Sequence, residues 1–334
     1  MGSTGTADGA RTFDLVIAAN RLPVDRHIDP DGTTTWRTSP GGLVTAMQSV
    51  MHGREAAWVG WAGFPGEAPD AFDDGALRLH PVPLSAEEVT DYYEGFSNDT
   101  LWPLYHDVIV PPTFHRSWWH CYRAVNERFA DAVAKVAAPG ATVWVHDYQL
   151  QLVPALLRDL RPDLRIGWFN HIPFPPVELF AQLPWRARIL RGLLGADFVG
   201  FQRPDDARNF IRACRSILGA TAKGGVVTWH GADDAHPGAG RRAVRAASVP
   251  ISIDASGFRG LADQASVRER AAEIRESLGN PEVVLLGVDR LDYTKGIRHR
   301  LRAIEELLAD GEIAPPQVTS TSSPTAGFTS STFG

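Results

Sequence analysis

Thr142-Val143-Trp144-Val145-His146-Asp147 and, eighteen residues further on, Ile166-Gly167-Trp168-Phe169-Asn170-His171 decide how this chain folds. Each is a short run of β-branched and aromatic residues that ends abruptly in polar ones. Between them Leu152, Val153, Leu156, Leu157 and Leu160 recur at helical spacing. A buried strand, a helix with one apolar face and another buried strand make a βαβ unit, whose strands are parallel. The pattern extends both ways. Leu15 to Ala19 runs into Asn20-Arg21, and Asp197 to Phe201 runs into Gln202-Arg203, with a helical pattern over Ala187 to Leu194 before it. The expected fold is α/β, a doubly wound parallel sheet.

Downstream, Val226 to Trp229 and Val244 to Ile253 flank a Gly/Asp/Pro loop and predict a hairpin excursion. A charged helix over Val267 to Leu278, a strand over Glu282 to Val288 and a helix with Ile297, Leu301, Ile304 and Leu308 on one face start a second sheet. After Pro315-Pro316 the composition changes, with ten Ser/Thr among residues 319–334 and no charge. The expected organisation is a disordered N-terminus over 1–12, a domain over 13–253, an incomplete second domain over 254–314 and an unrelated tail over 315–334.

The 334 residues carry 33 basic and 39 acidic side chains, a net charge of −6. That balance has no general attraction for nucleic acid or an anionic membrane surface. No apolar run reaches the length of a membrane span. Cys121 and Cys214 are far apart, and no carboxylate or His/Cys cluster calls for a metal. These features together predict a cytoplasmic, metabolite-handling enzyme with no metal and no cofactor.

In open α/β sheets ligands bind beyond the carboxyl ends of the strands. Arg21, Asp147 and His171 are therefore the first candidates. A carboxylate or imidazole at a buried strand end must be partnered or used, although Asp147 also suits a helix N-cap and His171 a structural place before Pro173-Phe174-Pro175-Pro176. Gly41 and Gly42, opening an apolar helical stretch, let a backbone approach a phosphate; a simple tight turn is the plainer reading. Gly287 to Gly296 joins a strand end to a helix start and places Arg290 near Lys295, one of three lysines in the chain. This suits a departing diphosphate, against a solvated loop in which Asp289 and Asp292 pair with the two cations. The aromatics concentrated between Tyr92 and Tyr122 mostly suit a core, while Tyr93 and Trp102, separated by a polar Ser97-Asn98-Asp99 loop, are the two candidates to flank a pocket for a sugar face.

Asn20-Arg21-Leu22-Pro23, Gly41-Gly42-Leu43, Trp58-Val59-Gly60-Trp61, Tyr92-Tyr93 through Trp102-Pro103, Trp144 to Tyr148, His171 to Pro175, Gly200-Phe201-Gln202 and Arg290 to Gly296 occur in this order. Together they resemble the trehalose-6-phosphate synthase family, retaining glucosyltransferases of glycosyltransferase family 20 with the GT-B fold, over about residues 13 to 310. The resemblance implies two Rossmann-like domains, the second incomplete here. It implies glucose transfer from UDP-glucose, or another nucleotide-glucose, to glucose 6-phosphate, without a metal, and a homo-oligomer in the full-length family. It implies that Arg21, Tyr93, Trp102 and Asp147 bind the acceptor, that Gly41, Gly42 and His171 meet the donor, and that Arg290 and Lys295 neutralise the leaving diphosphate. His171, Arg290 and Lys295 are then the catalytic candidates. The competing readings are a related synthase with another acceptor, such as glucosylglycerol-phosphate synthase, and an inactive fragment that binds sugar phosphate.

Overall fold

The structure is a computed structural model and describes residues 11–39, 43, 44, 47, 54–107, 110–230, 241–289, 293–313 and, for the backbone, 318–324. The chain divides into two compact units, Met1–Ser252 and Ile253–Gly334.

The first unit is built on one ten-stranded sheet. Its strands are β1 (Phe13–Arg21), β4 (Ala56–Trp61), β5 (Phe72–Asp74), β6 (Leu77–Val82), β7 (Ala137–His146), β8 (Arg165–Asn170), β9 (Phe198–Phe201), β10 (Thr221–Lys223), β11 (Val226–His230) and β12 (Arg241–Ser248). They lie in the order β10-β11-β12-β9-β8-β7-β1-β4-β6-β5. The seven from β12 to β6 are all parallel, and the edges are antiparallel. A separate antiparallel ribbon, β2 (Val24–Ile28) with β3 (Thr34–Thr38), follows β1. The chain winds from β1 through β4 to β6, then returns to the other side of β1 and winds outward through β7, β8 and β9. The doubly wound sheet predicted from the strand–helix alternation is therefore present, and its direction reverses between β1 and β7.

Both faces are covered, which explains the continuous apolar runs. Along β1 the side chains alternate: Val16 and Ala18 join the larger core, Ile17 and Ala19 the smaller one on the opposite face. The larger core is closed by α3 (Arg116–Val136), α4 (Val153–Leu160), α6 (Arg186–Leu193) and α7 (Pro204–Leu218). Helix α3 buries Trp119, Tyr122, Asn126, Phe129 and Val133, three or four residues apart. The short helices α1 (Ala86–Glu88), α2 (Trp102–His106) and α5 (Val177–Phe180) complete this layer.

Three expectations are corrected. The Ser97-Asn98-Asp99 segment is no loop but the middle of a π-helical stretch, Val89–Leu101. A Ser85/Glu88 capping box launches the helix at α1. The Ser97 hydroxyl then donates to Tyr92 O, five residues back, at 2.7 Å, so a polar side chain is satisfied inside the helix. The hairpin, in turn, is no excursion, because β12 pairs in parallel with β9 and extends the main sheet. Strand β12 also stops at Ser248 rather than Ile253. Val249 N–H makes a last bond to Phe201 O at 2.8 Å, and Pro250 has no N–H with which to continue.

In the second unit α8 (Ala255–Ala262), capped by the Asp254 carboxylate, and α9 (Ala265–Ser277) precede β13 (Val283–Asp289). A 3₁₀ turn over Tyr293–Lys295 leads into α10 (Ile297–Ala309). Strand β14 (Val318–Pro324), in the Ser/Thr-rich tail, pairs in parallel with β13 from Val283↔Val318 to Asp289↔Pro324.

Candidate active site

The reversal of winding between β1 and β7 opens a crevice at the carboxyl edge of the sheet, the usual ligand position in this architecture. Four adjacent strands deliver polar or aromatic residues there: Trp61 ends β4, Arg21 ends β1, Asp147 follows β7 and His171 follows β8. Arg21 and Asp147 flank the switch point itself.

Arg21 pairs in register with Trp61, and its carbonyl accepts the Trp58 indole N–H at 3.0 Å. Its guanidinium lies 5.2 Å from the centre of the Trp61 ring and donates to Asp25 Oδ1 at 2.8 Å. Nε is buried with no partner among the described residues. The backbone makes room for this side chain. Gly63 has φ +90, and a Cβ there would stand 2.5 Å from Arg21 Cζ. At Gly60 a Cβ would stand 2.7 Å from the Arg21 carbonyl carbon, so β4 can approach the end of β1 only as glycine.

Asp147 adopts φ 73 and ψ 173, a region that side chains other than glycine rarely enter. Its N–H donates to Phe169 O at 2.8 Å, its carbonyl accepts from Leu150 N and the Trp168 indole, both at 3.2 Å, and Oδ1 accepts from His171 N at 3.1 Å. The carboxylate therefore fastens the β8 terminus and makes no side-chain cap on the turn after it. Desolvation raises its pKa, opposed by His171, by the backbone N–H groups of His171 and Tyr148, and by His106. The turn that follows is held by a buried network: Tyr122 Oη donates to Tyr148 O at 2.7 Å and accepts from Gln151 N at 3.1 Å, while Tyr105 Oη donates to Gln151 Oε1 at 2.6 Å.

His171 Nε2 lies 3.0 Å from Nδ1 of the wholly buried His146. Burial lowers the pKa of both imidazoles; His171 lowers that of His146 further, whereas Asp147 opposes the shift at His171. Tyr93, on the π-helical stretch, stands 5.8 Å from the Trp61 ring. Trp102, at the start of α2, packs 5.7 Å from Tyr148 and 4.0 Å from His106. Tyr148 Oη donates to Asn98 Oδ1 at 3.0 Å.

The structure thus brings Arg21 with Trp61 and Tyr93, and Asp147 with His171. Gly41, Gly42 and Arg290 lie outside the described residues. Lys295 is exposed in the second unit, and Asp289 there pairs with Arg300 rather than with Lys295. Sequence reasoning missed Trp61, Gly63 and His146 as site residues. The strand-end argument that selected Arg21 applies equally to Trp61, while the roles of Gly63 and His146 depend on packing. Among the described residues no group of three or more His, Cys, Asp or Glu side chains is placed to hold a metal ion, and no helix is long and apolar enough to cross a membrane.

A doubly wound α/β unit with this polar carboxyl edge is the architecture of a GT-B-type glycosyltransferase half. The model of glycosyltransferase family 20 matches residues 14–320, and the chain belongs to that family. It is 56% identical over 308 residues to the trehalose-6-phosphate synthase of Mycobacterium sp. (strain KMS), covering 91% of this chain and 62% of that protein. The synthase of Mycobacterium tuberculosis is likewise 56% identical, at 90% and 61% coverage. Among solved structures, one from E. coli bound with UDP-2-fluoro glucose superposes with a TM-score of 0.78 at 28% identity, covering 92% of this chain and 64% of the other. A Burkholderia xenovorans α,α-trehalose-phosphate synthase in complex with glucose-6-phosphate gives 0.76 at 27% identity, at 92% and 65% coverage. The chain therefore spans somewhat less than two thirds of these relatives.

Proposed function

We propose that this chain carries the acceptor side of a retaining glucosyltransferase that moves glucose from UDP-glucose to glucose 6-phosphate, forming α,α-trehalose 6-phosphate. The observation that carries the proposal is Arg21: a guanidinium whose buried Nε has no partner among the described residues, seated at the switch point over the ring of Trp61. A phosphate oxygen satisfies that orphan donor with a charge-assisted bond. Tyr93 and Trp102 supply aromatic surface for the sugar ring, and Asp147 accepts from its hydroxyls. On the donor side Gly41 and Gly42 approach the diphosphate, His171 meets the glucose, and Arg290 with Lys295 neutralises the charge that grows on the leaving UDP.

Transfer with retention then proceeds on one face of the donor. The bond from the anomeric carbon to the UDP oxygen lengthens, an acceptor hydroxyl approaches from the same side, and its proton passes to the departing phosphate oxygen. No side chain of the enzyme acts as nucleophile. The reaction requires no metal and proceeds without a cofactor, and the locale that suits these substrates is the cytoplasm.

Titration calorimetry with glucose 6-phosphate, glucose and glycerol 3-phosphate tests the acceptor assignment. Glucose 6-phosphate binding that weakens about 10- to 150-fold in Arg21→Ala supports it, from the ~1.5–3 kcal/mol of a charged hydrogen bond. Preference for glycerol 3-phosphate, or unchanged binding in the variant, overturns it. In a chain extended to the length of its relatives, Lys295→Ala should slow transfer far more than it weakens acceptor binding.

A further inference from the structure

His146 is completely buried, yet the chemistry described so far makes no use of it. Its Nδ1 stands 3.0 Å from Nε2 of His171, and its own Nε2 is buried with no hydrogen-bond partner among the described residues. Around the pair lie Trp144, ring centre 4.9 Å from that of His146, and Phe169, 4.8 Å from that of His171. Asp147, the charged neighbour, takes the main-chain N–H of His171 rather than a ring nitrogen of either imidazole.

Two nitrogens at hydrogen-bond distance share one proton, and it has two possible owners. If His171 Nε2 carries it, neutral His146 must hold its own proton on Nε2, where no acceptor waits. A buried N–H left without a partner is among the rarest features of folded proteins, rarer than an unfilled acceptor. If His146 Nδ1 carries it, the buried Nε2 is only an unfilled acceptor and the shared bond is complete. Burial disfavours the protonated form of both rings.

We propose that His146 is a positioning residue whose Nδ1–H donates to His171 Nε2, so that His171 carries its own proton on Nδ1 and offers it as a donor to a hydroxyl oxygen of the bound sugar. The second half of this statement rests on the proposed role of His171 at the donor glucose. The first half does not. Free imidazoles favour the Nε2–H form, so two adjacent Nδ1–H rings are an arrangement that only the fold imposes. The consequence for recognition is direct: with Nε2 occupied, His171 reads its ligand through a single donor of fixed direction, and selects an oxygen lone pair there.

The test is a two-bond ¹H–¹⁵N correlation spectrum of the 334-residue chain labelled with ¹⁵N-histidine, at neutral pH and without ligand. Both rings should show an unprotonated-type Nε2 and a protonated-type Nδ1. A protonated-type Nε2 on His171 overturns the proposal, whether or not the chain binds sugars. In His146→Phe, His171 should revert to a signal dominated by the Nε2–H form, whereas His146→Asn, whose amide nitrogen falls where Nδ1 stood, should retain the wild-type pattern. An unchanged His171 signal in His146→Phe also overturns it, and if that variant fails to fold the wild-type spectrum decides alone. Because no sugar or turnover enters the measurement, loss of the transferase reading and loss of this one are separate results.

Discussion

Replacing Gly63 by alanine isolates what the backbone contributes to Arg21. At φ +90 an L-residue is strained, by about 1–2 kcal/mol. The added methyl also falls 2.5 Å from Cζ of Arg21, so the guanidinium must leave its seat. It then gives up the face of Trp61, worth ~0.5–1 kcal/mol, and the half-exposed bond to Asp25, worth ~0.2–1 kcal/mol. The sum is about 2–4 kcal/mol, or roughly a 1 M fall in the urea midpoint at a slope near 3 kcal/mol/M. Glucose 6-phosphate binding should weaken by the ~10- to 150-fold expected for Arg21→Ala. The decisive comparison is Gly63→Ala in an Arg21→Ala background, where only the dihedral strain remains and the cost should fall to about 1–2 kcal/mol. An equal cost in both backgrounds, with sugar phosphate binding intact, would refute the idea that Gly63 exists to admit the arginine.

Other expectations follow from the same geometry. His146 and His171 have pKa values lowered by burial, so the folded state prefers them neutral. Their contribution is complete above the unfolded value of about 6.5 and is lost as pH falls below it. Denaturation midpoints across pH 7 to 5 should decline, with a slope of up to ~1.4 kcal/mol per pH unit for each group, and His146→Asn should flatten the curve; an unchanged slope would contradict the burial argument. Tyr122→Phe leaves the buried Gln151 N–H without its acceptor, while the Tyr148 carbonyl keeps the Gln151 side-chain amide, and should cost about 1–3 kcal/mol in urea titrations. Asp147→Gly relieves an unfavourable dihedral while deleting the bond to His171 N, so stability should change by less than ~1.5 kcal/mol; acceptor binding measured by calorimetry should nonetheless be lost.

Much of the fold could be read directly from residues because it depends on local pattern. Apolar runs such as Thr142 to Val145 and Ile166 to Phe169 need burial on both faces, and their polar terminators mark the edge where Arg21, Asp147 and His171 gather. What composition concealed was how polar groups are satisfied. Ser97, Asn98 and Asp99 look like a loop, yet Ser97 bonds to its own helix and Asn98 accepts from Tyr148. Strand order was equally hidden: nothing in Val244 to Ser248 announces that its neighbour is β9 rather than β11 alone. The significance of Gly63 and His146 lies in what stands opposite them, and that partner is set by packing among strands far apart in the chain.

The crevice between β1 and β7 has a kinetic consequence. Arg21 belongs to β1, the first of the described strands, whereas Asp147 arrives only after the winding has reached β6 and turned back. Parallel pairing across such a separation closes a long loop and is intrinsically slow. During refolding, or emergence from the ribosome, the sheet half from β1 to β6 can assemble while one wall of the crevice does not yet exist. Competence to hold a ligand should therefore appear with the pairing of β7 onto β1 rather than with the first burial of tryptophan, and a ligand present from the start would have nothing to grip until then.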